Sequence, residues 1–163
     1  MAGYSGTPLP KKLGITEGST LALIAAPRGV IDGLPPGVTV KRQARGSADV
    51  VVAFFTQRRD FERRIGALSR MIFPSGGLWV VWPKRASGLE TTMHEGVVRE
   101  VALPLGLVDN KVCAIDETWS GLRVVWRRER RPDVADQKKP SRDRGQMRTS
   151  TLPTIVDSAT GPQ

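Results

Sequence analysis

The sequence predicts an α/β protein: an open, mostly parallel sheet that closes with an antiparallel hairpin at its carboxyl end. Three observations carry this. Residues 20–26 (TLALIAA), 48–56 (ADVVVAFFT) and 77–82 (GLWVVW) are short, nearly uninterrupted apolar runs, the pattern of strands covered on both faces. Between the last two lies residues 60–72, with Phe61, Ile65, Leu68 and Ile72 at helical spacing and Arg63, Arg64 and Arg70 elsewhere, as a crossover helix requires. Finally, residues 111–116 and 122–127 are two β-rich runs around the turn-prone Trp119, Ser120 and Gly121, which reads as a hairpin.

The elements follow in chain order. The first run ends at Pro27 and leads through a short helix to an extra strand at residues 38–42, and residues 48–56 form the next strand. The crossover helix is closed by Pro74 and the Gly76, Gly77 turn. After Trp82 a loop reaches Thr91 or Thr92, either of which suits an N-cap, and a helix carries Val97, Val98, Val101 and Leu105 until Pro104 ends or bends it. The hairpin strands are expected at the edge of the sheet.

A chain of 163 residues with 39% hydrophobic and 25% charged residues suits one globular domain. Residues 1–131 are read as that domain. From Arg128 onward there are eight Lys/Arg and five Asp/Glu but few large aliphatic side chains. Such a segment cannot bury enough to offset its ordering entropy, so residues 132–163 are expected to be a disordered basic tail. The net charge of +9 points to an anionic partner. One Cys and one His cannot make a disulfide framework or a Cys/His zinc site, so no metal is expected. With no apolar run of membrane-spanning length and no apolar centre in residues 1–12, the expectation is a cytoplasmic protein without a membrane partner.

Two resemblances follow from quoted segments. The order ADVVVAFFT, helix, PSGGLWVVWPK, helix and the hairpin through GLRVVWRR resembles the carboxyl half of the Rossmann-like fold of class I methyltransferases. The runs GYSGTPLPKKLGI, ADVVVAFFT, WPKRASG and REVALPLGLVDNKVCAIDETWSGLRVVWRRE resemble an actinobacterial family of small proteins described as domain of unknown function 3052. That resemblance implies a relative but no activity.

Ligands of open α/β sheets sit outside the carboxyl ends of the parallel strands. After the first strand, APRGVIDG lacks the closely spaced glycines of a dinucleotide or adenosylmethionine loop, and the second strand runs into Lys41, Arg42 and Gln43 where an acid would accept ribose hydroxyls. No cofactor is therefore expected. Instead Arg28, Arg58 or Arg59, and Lys84 with Arg85 would line one basic rim. The segment Lys84, Arg85, Ser87, Gly88 adds a hydroxyl and a glycine at a strand-to-helix turn, suited to phosphate or carboxylate. Asp109 and Asn110 supply a second polar segment, although a local turn in which they bond nearby backbone is the favoured explanation. Cys113 lies mid-strand and reads as a buried core thiol, and His94 as a surface helix residue. Trp119 at the hairpin tip is a candidate for partner contact or base stacking.

Three functions compete. The first is a non-catalytic binding or regulatory module for an anionic metabolite or a protein. The second is a small enzyme in which Lys84, Arg85 and Ser87 position a phosphorylated or carboxylated substrate while Asp109 or His94 moves a proton. The third is a weak, sequence-independent nucleic-acid binder, suggested by the charge and the RRERR run at residues 127–131.

Overall fold

The computed structural model describes residues 7–131; the predicted tail lies outside the described residues. A four-residue helix, α1 (Leu9–Lys12), precedes strand β1 (Thr20–Ile24). Strands β2 (Thr39–Lys41) and β3 (Val50–Phe54) follow, then helix α2 (Arg58–Ile72) and strand β4 (Gly77–Pro83). Helix α3 (Glu95–Ala102) leads to strands β5 (Leu107–Ala114) and β6 (Trp119–Trp126).

The six strands form one sheet in the order β2-β1-β3-β4-β6-β5. β1 pairs in parallel with both β2 and β3, and β3 with β4, whereas β6 is antiparallel to both of its neighbours. The expected hairpin is present, but only β5 lies at an edge; β6 is inserted between β4 and β5.

Every residue of β3 and β4 is buried, as their unbroken apolar runs require. One face of the sheet presents Val51, Ala53, Leu78, Val80, Leu122 and Val124 to the apolar stripes of α2 and α3. The other presents Leu21, Leu23, Val50, Val52, Trp79 and Val81, and is covered by Leu13, Ile15 and Ile31 from irregular chain. The short helix predicted between the first two strands is absent. Gly29, Gly33 and Gly37 there all have positive φ, so that segment turns repeatedly and accumulates no helical hydrogen bonds.

Two indoles fasten the layers. The fully buried Trp79 donates Nε1–H to the Leu13 carbonyl at 3.0 Å, and Trp126 donates to the Ser69 carbonyl in α2 at 2.9 Å. Other boundaries shift from expectation. His94, not Thr91 or Thr92, caps α3, its Nδ1 accepting the Gly96 N–H at 3.1 Å. The hairpin turn precedes Trp119 because the Asp116 carboxylate accepts the N–H groups of Thr118 and Trp119, at 2.8 and 2.9 Å, freeing Trp119 to start β6. Cys113 is only half-buried, because its strand is the sheet edge. Burial pushes its thiol up from the ordinary value, against the pull of Lys12 and Lys111. Among the described residues no helix is long and apolar enough to cross a membrane.

Trp79→Phe keeps most of the buried ring but leaves the Leu13 carbonyl without this donor. It should cost about 1–3 kcal/mol, read as a lower urea midpoint at unchanged slope.

Candidate functional site

Strand order reverses at β1, since β2 lies to one side of it and β3 to the other. In a parallel sheet such a reversal opens a crevice at the carboxyl ends, because the connections leave on opposite sides. A cavity of about 390 Å³ lies there, lined by Ala25, Phe54, Phe55, Thr56, Asp60, Arg63, Arg64 and Trp119. That size falls within the usual range for small-molecule sites. A smaller hollow of about 170 Å³, lined by Asp49, Ser75 and Gly76 among others, lies at the opposite ends of the strands.

Each wall has a local cause. Ala25 directly follows β1 with a φ of 57°, a left-handed conformation that turns the chain sharply away. Phe54 ends β3 and meets the Trp119 ring edge-to-face at 5.1 Å. Asp60, Arg63 and Arg64 stand at i, i+3 and i+4 on α2, so one turn of helix brings them to one side. Arg63 and Asp60 form an exposed ion pair at 2.9 Å. Among the described residues Arg64 has no hydrogen-bond or ion-pair partner, and it is half-buried.

The entry to α2 is held from outside the helix. Gln57 makes no side-chain cap, and the Thr92 hydroxyl accepts the Arg58 N–H at 2.7 Å instead. The Thr91 hydroxyl and the Thr92 N–H both donate to the Thr56 carbonyl, at 2.6 and 2.9 Å. The segment once expected to cap α3 therefore fixes the strand-to-helix corner beside the cavity.

The predicted rim residues divide into groups. The parallel pairing of β1, β3 and β4 sends the turns carrying Arg28, Arg58, Lys84 and Arg85 to one edge of the sheet. Arg28 and Arg85 are exposed, without a described partner. Arg58 is engaged: its guanidinium bonds Glu62 at 2.8 Å and both oxygens of Glu100 at 3.3 and 3.2 Å. Hydrogen bonds to Glu100 first, then to Glu62, raise its pKa further and tie α2 to α3. The Ser87 hydroxyl donates to the Lys84 carbonyl at 2.7 Å and accepts the Leu89 N–H at 3.2 Å, while Gly88 closes the turn with a φ of 78°.

Asp109 and Asn110 do not join this edge. Asp109 is level with Val124, which pairs Leu78 near the start of β4, whereas Lys84 follows the end of that strand. Six residues along the strand direction put them roughly 20 Å apart. Asp109 bonds Arg99 at 3.0 Å, and Asn110 sits at an irregularity in the β5–β6 register. The Arg99 guanidinium, shared between Asp109 and Glu95, has its pKa raised by those hydrogen bonds, Asp109 first.

Sequence reasoning left Ala25, Phe55, Thr56, Asp60, Arg63 and Arg64 out of the site. The i, i+3, i+4 polar set on a helix directly after a central strand was the available signal. Trp119 was proposed for contact, but as an exposed indole; it is half-buried against Phe54.

No protein-family model matches the chain, and no curated protein matches it. Among solved structures, a SAM-dependent methyltransferase from Aquifex aeolicus has 14% identity across 70% of this chain and 85% of its own, with a TM-score of 0.52. The fold is methyltransferase-like. At this identity the likeness is one of architecture, and since it spans most of the Aquifex protein it extends beyond the carboxyl half the sequence suggested. Magnesium protoporphyrin IX methyltransferase (ChlM) from Synechocystis matches at 13% identity and a TM-score of 0.44 over 55% of this chain and 51% of ChlM. TrmN from Thermus thermophilus matches at 9% identity and a TM-score of 0.49, over 73% of this chain and 47% of TrmN. The chain thus spans about half the length of these last two. Within this methyltransferase-like fold, the glycines after β1, Gly29, Gly33 and Gly37, stand four residues apart and no helix follows them before β2. Among the described residues no group of three or more His, Cys, Asp or Glu side chains can hold a metal ion.

Three substitutions test the corner. Ala25→Gly should leave stability unchanged or raise it by up to about 1 kcal/mol, and Ala25→Val should lower it by at least about 1 kcal/mol, both read in urea unfolding. Thr92→Val removes the acceptor for the Arg58 N–H and should cost about 1 kcal/mol, read as a lower melting temperature.

Proposed function

We propose that this protein is a binding or regulatory module that uses the cavity at the β1–β3 reversal to recognise an anionic metabolite. The carrying observation is the chemistry of that cavity: aromatic rings of Phe54 and Trp119 and the Arg64 guanidinium, which has no partner among the described residues. Arg64 offers a planar donor fork for phosphate or carboxylate, and the rings suit a flat or apolar remainder. The amino end of the 15-residue α2 beside the cavity adds partial positive charge. Lys84, Arg85 and Arg28 on the same edge extend the attraction outward, with Ser87, Gly88 and the engaged Arg58 shaping the turns between them.

The reading is non-catalytic for a geometric reason. Of the proposed proton carriers, Asp109 does not meet the rim, being bound to Arg99 and distant, and the His94 Nδ1 is occupied as a helix cap. The methyltransferase-like scaffold is read as lacking a cofactor loop, because the turn after β1 provides no backbone N–H cradle at a helix N-terminus. We further assign the chain to the actinobacterial family 3052 on the segments quoted above, and to the cytoplasm on its cysteine and hydropathy pattern.

Thermal melting of the full chain against nucleotides, phosphorylated sugars, acyl-coenzyme A and S-adenosylmethionine tests this. A ligand at a hundred times its Kd stabilises by about 2.7 kcal/mol and should raise the melting temperature by several degrees, an increase that Arg64→Ala abolishes. An unchanged melting temperature across the panel would remove the metabolite and leave a protein partner. A response to S-adenosylmethionine alone would restore cofactor use.

A further inference from the structure

The edge of the sheet opposite the cavity carries a different chemistry. β6 ends there at Trp126, directly before Arg127. Residues Arg128–Arg130 form a 3₁₀ turn, closed by the Arg130 N–H on the Arg127 carbonyl at 2.9 Å and the Arg131 N–H on the Arg128 carbonyl at 3.1 Å. A 3₁₀ turn has three residues per turn, so Arg127 and Arg130 lie in one row and Arg128 and Arg131 in another, each pair about 6 Å apart along the axis. All four are exposed, and none has a described carboxylate partner.

This turn is docked onto the body of the domain. The Arg127 N–H donates to the Gly106 carbonyl at 3.0 Å, and the Arg130 guanidinium packs over Gly106, 3.0 Å from where a Cβ would stand. Gly106 ends the 3₁₀ turn Leu103–Leu105, whose two leucines are exposed. On the other side of Trp126 stands Phe73, ring centroids 5.5 Å apart and planes at 86°. Trp126 is held by its bond to Ser69, yet Phe73 remains 46% exposed, with the exposed Arg70 one helical turn before it. The edge-to-face contact with Trp126 thus holds a half-exposed aromatic ring at the same ends of the strands as the four arginines.

We infer that this edge binds single-stranded nucleic acid. Phosphates lie along the two arginine rows, and a base stacks on Phe73. The composition favours this occupant. Every cation named in the patch is Arg, whose fork pairs bidentately with phosphate and whose plane stacks on bases, whereas a purely electrostatic patch has no such preference. The exposed ring accepts any base, since every base has a π-face. The proposal is independent of the cavity, which lies at the other ends of the strands.

Fluorescence anisotropy of the full chain with a fluorescein-labelled oligothymidylate of about 20 nucleotides tests it. Binding is expected at low salt. The double variant R128A/R131A should lower the slope of log K against log salt by about 1.4, two phosphate contacts' worth. Phe73→Ala should weaken binding about tenfold, a loss that salt does not restore. Arg64→Ala should leave this binding unchanged while removing any metabolite response, which separates failure of one reading from failure of the other. Both patch variants are checked for an intact fold by circular dichroism. Four outcomes overturn the proposal: no binding at low salt, equal binding to a duplex of the same length, loss of binding on replacing only Lys138, Lys139, Arg142 and Arg144, or sedimentation with anionic phospholipid vesicles in place of the oligonucleotide.

Discussion

Parallel pairing of β1 with β3 and of β3 with β4 is the constraint from which the rest follows. Parallel strands cannot be joined by tight turns, so the chain must cross from the carboxyl end of one strand to the amino end of the next. That separates the molecule into two edges with different traffic. Turns leaving β1, β3 and β4 collect on one, together with Arg28, the start of α2 and Lys84. Returns from α2 and α3, with the exit of β6, collect on the other. Because the order reverses at β1, the first edge also has a crevice built into it.

The sheet is covered asymmetrically. One face carries α2 and α3; the other depends on irregular chain around Leu13, Ile15 and Ile31. Irregular chain brings unpaired backbone groups to an apolar surface, where each must find a partner. The Trp79 indole meets one such need by reaching the Leu13 carbonyl through the core. Trp126 does the corresponding work on the helical face, at the Ser69 carbonyl. Two of the four tryptophans thus serve as packing bodies whose single polar atom sets the position of a neighbouring layer.

Charge is also distributed by use. Arg58 and Arg99 are tied to carboxylates and join elements, Arg58 linking α2 to α3 and Arg99 linking α3 to β5. Such pairs are exposed and contribute little to stability, but they fix which arginines remain available. Among the described residues, Arg64 at one edge and Arg128 and Arg131 at the other are left without carboxylates. A net charge read from composition cannot make that distinction, because it counts tied and free cations alike.

Local patterning alone determined the α/β class, the three apolar strands of the parallel part of the sheet, α2 and the closing hairpin. An apolar run such as GLWVVW can only be buried on both sides, and Phe61, Ile65 and Leu68 can share a face only in a helix. Tertiary structure decided what depends on partners distant in the chain. Thr92 caps α2 across 34 positions, the hairpin turn moved because Asp116 captured two backbone N–H groups, and Cys113 stayed half-exposed because β5 became an edge. The candidate site shows the same division. Its position at strand ends was legible, but its walls were not: Arg64 matters only because the α2 face meets the end of β1, and Trp119 only because it reaches Phe54. Local sequence sets which residues can lie on one face, whereas the meeting of two faces is set by packing between segments that share no local pattern.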